Sequence, residues 1–348
     1  MTEPTSMFDH PWMSALFGDA EMAALWSAEA QLRHYLDFEA AWSRAGHLAG
    51  LWSQAEGEAA AKAIEAAQFA PADLAAGTAV DGMPIPSFVH LLKEKAGEGA
   101  IHTGSTSQDV MDTSLALSMT GSLDLIGTRL RALEVAGAAL IKTHGARSLM
   151  GRTRMQAALE VTVVDRAAPW FAAIPDQLDA VGSVAKRARR VQIGGPVGDR
   201  RRMGNAPEAV VAHVAQTLGL DAVPQWHANR DHVAEFAGLL ARITGSLGKM
   251  GQDLTLMAQM GEVRIRGGGG SSSMAHKQNP VQAELLVTLA RFNATQVSAM
   301  HHAMVHEQER SGAAWALEWM ILPQMAQACG RALNVALELC ENIESVGG

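Results

Sequence analysis

Apolar residues recur at three- and four-residue intervals along most of this chain. Leu25, Leu32, Leu36 and Trp42 share one helical face between residues 17 and 46, with Asp19 placed to cap it. Shorter helices are expected over 58–68, 71–76 and 88–95, separated by the breaker Gly82-Met-Pro-Ile-Pro86. The pattern then changes to long helices over 115–142, 157–189 (interrupted near Pro169), 208–218, 232–260, 281–304 and 313–343, the last bent at Pro323. No alternating strand pattern persists, so an all-α fold is expected. A small irregular helical N-terminal domain would occupy 1–112 and a long-helix bundle 113–348. Several of these helices exceed ordinary globular length, which calls for a bundle or an oligomeric core to bury them.

Composition supports that picture. The 348 residues are 48% hydrophobic with few aromatics, and Ala, Leu and Met favour helix over strand. A formal net charge of −8 argues against bulk nucleic-acid binding while leaving room for a local cationic pocket. The two cysteines, Cys329 and Cys340, lie in an apolar helical pattern and make no disulfide framework, consistent with a reducing, cytoplasmic setting. The polar, acidic start lacks a signal-peptide pattern, and no apolar run is long enough to cross a membrane.

Chemistry concentrates in three segments. In Arg266-Gly-Gly-Gly-Gly-Ser-Ser-Ser-Met-Ala-His-Lys-Gln-Asn-Pro280 four glycines feed hydroxyl, cation and amide groups toward a helix start. Such a run is either a linker or a mobile catalytic loop; Met274, His276 and Lys277 favour the loop. It is not a P-loop, because Gln278 follows the lysine, nor a dinucleotide fingerprint, because 254–263 reads as helix rather than strand. The second segment, His102-Thr-Gly-Ser-Thr-Ser-Gln-Asp109, is dense in hydroxyls ahead of a helix expected from Val110. Some of these cap the helix, but Ser105, Thr106, Ser107 and Gln108 exceed what capping needs, and a helix N-terminus suits a carboxylate. The third, Gly151-Arg-Thr-Arg-Met-Gln156, reads as the start of a long helix. Its Arg152 and Arg154 are either solvated charges or a carboxylate clamp. His227 and Arg230 lie between Pro224 and the next helix, with Trp226 a core anchor and Asp231 a cap. His302 and His306 have the spacing of a metal pair but lack a third ligand, so no metal is expected. Arg310 is a further candidate clamp.

Taken in order, Thr-Ser-Gln-Asp-x-x-Asp-Thr, Gly-Arg-Thr-x-x-Gln and Gly-Ser-Ser-x-Met-x-x-Lys-x-Asn-Pro resemble the fumarase/aspartase/adenylosuccinate lyase superfamily, over nearly the whole chain. Leu16-Phe-Gly-Asp-Ala-Glu21, Gly82-Met-Pro-Ile-Pro86, Trp226-His227 before Arg230-Asp231, and His276-Lys277 point within it to the cycloisomerase branch. There a substrate carboxylate adds to a double bond of its own molecule to give a lactone. Fumarate-releasing β-elimination of the adenylosuccinate lyase kind is the alternative; against it, the Pro84–Phe88 region lacks that group's histidine and Leu285 replaces its arginine.

The resemblance implies a homotetramer with a twenty-helix core, each site drawing its three segments from three subunits, and no cofactor. By matching positions, Ser271 would exchange the proton, supported by Lys277. Lys277 and Asn279 would also hold carboxylate, as would Thr106, Ser107, Gln108, Gln156, Arg310 and His102. Arg154 stands where fumarases and adenylosuccinate lyases carry a histidine; the expectation is that it binds a substrate carboxylate and is held by Glu284. Ala275 replaces the loop's usual proline. The further C-terminal helical domain of many members is expected to be missing from this chain.

Overall fold

The structure, a computed structural model, describes residues 4–270, 272–274 and 277–347. Helix dominates, as the periodicity requires. The N-terminal region holds α1 (Ser14–Phe17), α2 (Ala20–Trp26), α3 (Ala28–Ala45), α4 (Gln54–Ala66), α5 (Ala75–Asp81) and α6 (Ile85–Ala96), with short 3₁₀ turns at Gly46–Ala49 and Pro71–Leu74. Asp19 caps α2 by accepting the Met22 N–H at 3.0 Å, and the same carboxylate pairs with the buried guanidinium of Arg129. α3 carries Phe38, Trp42 and Tyr35 on its buried face.

The bundle follows. α7 (Ser107–His144) runs 38 residues and packs against α3, α9 (Ile174–Ala188) and α13 (Ala313–Asn342). α11 (Asp231–Gln259) and α12 (Val281–Ala303) lie side by side, and α13 packs on both. α8 (Val163–Phe171) and α10 (Pro207–Thr217) complete the set; Pro169 and Pro323 are both carried inside helices. The junction expected near residue 112 falls inside α7, which starts at Ser107 rather than Val110.

Two small ladders depart from the sequence expectation. Residues 148–162 form an antiparallel hairpin, β1 (Ser148–Thr153) and β2 (Gln156–Thr162), where the start of a long helix is expected from Gly151. Thr153 pairs with Gln156, so Arg154 and Met155 form a two-residue turn, with φ values of 50° and 67°. Positive φ at both turn positions matches the twist of the flanking strands, and the β-branched Val161 and Thr162 favour extended backbone. Val263–Ile265 (β3) pairs with Ile343–Val346 (β4), so Val263 ends no helix, and a short strand does precede the glycine run. No nucleotide fold follows from it: the chain turns back so that Gly269 bridges to Asn279.

Candidate functional site

The first segment is the best organised. Arg310, between α12 and α13, donates from Nε to Gln108 Oε1 at 2.9 Å, and from Nη2 to Thr106 Oγ1 at 3.1 Å and the Pro196 carbonyl at 3.3 Å. The Gln108 amide cannot be reversed without loss. Its NH₂ donates to Asp112 Oδ2 and to the His227 carbonyl, both at 3.0 Å, and neither can donate in return. The amide oxygen is thereby turned toward the guanidinium.

Buried charge backs this arrangement. Asp109, with no exposed surface, accepts from the backbone N–H of Thr106 (3.1 Å), Gly194 (2.7 Å) and Gly195 (2.9 Å) and from His227 Nε2 (2.9 Å). Gly194 is needed for space: a Cβ there would lie 2.8 Å from the His227 ring. The loop so anchored presents the Pro196 carbonyl to Arg310. Beneath it, Arg230 is sealed between Asp112 (2.6 and 3.1 Å) and Glu318 (2.8 Å through Nε), and Trp315 Nε1 donates to Asp112 at 3.0 Å. A guanidinium fork between two buried carboxylates is the geometry in which a buried charge is tolerated. His227 and Arg230 therefore support the first segment from below. Asp231 occupies the first turn of α11 and makes no side-chain cap.

His102 also belongs here. Its Nδ1 lies 2.6 Å from Glu39 Oε1, and Glu39 is fully buried. Burial opposes charge on the ring, but the Glu39 carboxylate, with Asp109 beyond it, raises the imidazole above its ordinary value. Glu39 was missed in the sequence; its only sign there is an acidic residue on a helical face otherwise given to Phe38, Ala41 and Trp42.

The second segment sits on the hairpin rather than a helix. Arg152 pairs with Glu262, ahead of β3. Arg154 and Gln156 are exposed at the hairpin tip, and no ion pair joins Arg154 to any described residue. Beneath the hairpin, Arg152, Arg154, Arg166, Lys249, Asp253 and Glu262 line an open cavity of about 530 Å³. Glu284, in the first turn of α12, is exposed and forms no ion pair with Arg154 within the chain.

In the third segment, Ser271, Ala275 and His276 lie outside the described residues. Lys277 is exposed, its backbone N–H donating to the Met274 carbonyl at 3.1 Å, and Asn279 is half-buried beside the bridge to Gly269. Among the described residues no group of three or more His, Cys, Asp or Glu side chains is placed to hold a metal, and no helix is long and apolar enough to cross a membrane.

A long-helix bundle carrying these three segments defines a fumarase-type lyase. The lyase family model matches residues 18–298, and the chain belongs to that family. Its relatives include proteins named 3-carboxy-cis,cis-muconate cycloisomerase. The one from Acinetobacter baylyi is 31% identical over 345 residues, covering 95% of this chain and 76% of the relative. The one from Pseudomonas aeruginosa is 34% identical over 343 residues, covering 95% and 74%. The solved structure of the 3-carboxy-cis,cis-muconate lactonizing enzyme from Pseudomonas putida superposes with a TM-score of 0.88 at 32% identity, over 96% of this chain and 77% of that one.

Proposed function

We propose that this enzyme is a cycloisomerase converting 3-carboxy-cis,cis-muconate to 4-carboxymuconolactone, a step in the breakdown of protocatechuate. The observation that carries the reading is the Arg310–Gln108–Thr106 cradle, set at the N-terminus of a 38-residue helix in a chain this similar to cycloisomerases. The substrate bears three carboxylates, and a fixed guanidinium at a helix N-terminus suits one of them.

In the reaction a carboxylate oxygen attacks the double bond of its own molecule and forms the lactone C–O bond. The π electrons move to the carbon beside the activating carboxylate, which takes up a proton. Ser271 supplies that proton, and Lys277 stabilises the alkoxide left behind. Asn279, Ser107 and Gln156 hold carboxylate oxygens, and Arg154 clamps another in a bidentate pair. Arg154 projects from its own chain without an ion pair to any described residue, which fits a site assembled from three subunits of a homotetramer. Glu284 of a second subunit would then orient it.

Following the diene absorbance of 3-carboxy-cis,cis-muconate tests the reading. Wild-type protein should consume it and Ser271→Ala should not. Fumarate release from a succinyl-bearing substrate, with no loss of the diene, would put the enzyme among the β-eliminating lyases instead.

A further inference from the structure

Glu39 and His102 make a pairing that the reaction outlined above does not use. Glu39 gives both oxygens to one residue: Oε1 lies 2.6 Å from His102 Nδ1, and Oε2 accepts the His102 backbone N–H at 3.0 Å. A carboxylate can only accept, so Nδ1 carries the proton. Held at these two points, His102 has φ 57°, a left-handed conformation costly for a residue with a Cβ and sustained here by its surroundings. The buried Ser105 closes the remaining side, its Oγ 3.1 Å from Nδ1 and 3.2 Å from the His102 carbonyl oxygen. Nε2 has no hydrogen-bond partner among the described residues and is not among the side-chain atoms sealed from solvent.

We propose that Glu39 is a positioning residue that locks His102, so that its Nε2–H donates to one carboxylate of the substrate seated at Thr106, Ser107 and Arg310. The proposal rests on the carboxylate-substrate reading above and adds a pH dependence to it. With Nδ1–H fixed on Glu39, the neutral ring presents a bare lone pair at Nε2, which repels carboxylate. The imidazolium presents a donor. The charged groups acting on the ring are Glu39 of α3 and Asp109 of α7, which favour the cation, and Lys93 of α6, which opposes it. Substrate binding therefore weakens as pH rises through the His102 titration.

Nitrogen NMR of imidazole-labelled enzyme, read alongside kinetics, tests this. In wild type His102 should titrate above the ordinary histidine range, and adding 3-carboxy-cis,cis-muconate, or citrate as an inert tricarboxylate, should shift Nε2. KM should rise about tenfold across that titration while kcat changes less than twofold, the size of one charge-assisted hydrogen bond. In Glu39→Gln the titration and the rise in KM should both move to lower pH. His102→Gln, whose amide N–H reaches near the Nε2 position, should bind with little pH dependence. A His102 titration indifferent to Glu39→Gln, or an Nε2 signal unmoved by either ligand when calorimetry shows binding, would overturn the proposal. If Glu39→Gln loses its fold by circular dichroism, the wild-type titration and ligand shift decide alone. Should the enzyme fail to turn over the muconate while citrate still shifts Nε2, the reaction assignment falls and the role of Glu39 stands.

Discussion

At the scale of single residues, the cations at the three segments are separable by experiment. Arg154 is expected to act in binding: Arg154→Ala should raise KM about a hundredfold with a smaller change in kcat, the cost of a lost bidentate pair. An unchanged KM in steady-state assays would remove it from the site. His102 makes a stability prediction distinct from its effect on binding. Despite burial of the ring, the neighbouring Glu39 and Asp109 carboxylates raise its folded-state titration above that of a free imidazole. Its protonation therefore stabilises the fold fully below the titration of the free side chain, and the contribution is lost as pH rises through the higher, folded titration. Thermal melts should show wild type losing more stability than His102→Gln across that window. Asp19 has two roles at once, capping α2 and neutralising Arg129. Asp19→Ala leaves a guanidinium buried without its main partner, and calorimetry should find a loss of about 3 kcal/mol or more.

At the scale of elements, the long helices were legible because each is driven by its own period-3.6 apolar face. α11 and α12 fall within a residue or two of where the pattern placed them. The hairpin was not legible, and the reason is physical. Its β2 strand is exposed along most of its length, with Leu159 77% accessible, so no buried face imposes an alternating pattern. Arg154 and Met155 also lack the Asn-Gly signature of a tight turn, although both adopt its left-handed conformation. Motif residues on the hairpin and at Thr106–Gln108 could be named from the resemblance. Glu39, Glu318 and the Gly194–Pro196 loop had no such route, since they act through contacts between residues far apart in sequence. The turn makes its own prediction: Met155→Gly removes a left-handed side-chain penalty of roughly 1–3 kcal/mol, partly offset by glycine entropy. The hairpin should tolerate it with Tm within a few degrees of wild type.

At the scale of the whole molecule, Arg154, Glu284 and the exposed apolar side chains Val135, Met155 and Leu159 lie on surfaces that this chain does not cover. Under the shared-site reading, activity and assembly are linked, and an isolated subunit should be inactive. Sedimentation coupled to the diene assay tests this; a strictly monomeric species turning over substrate would refute it. The Arg310–Gln108 bond has a further consequence, for the birth of the protein. It joins partners 202 positions apart, through an amide oriented by His227, which lies 119 positions beyond Gln108. During synthesis α7 leaves the ribosome long before either partner exists, so the nascent helix carries its motif without the cradle. Anion recognition at Thr106 is thus among the last local properties a growing chain acquires, and one that fragments ending before Arg310 should lack.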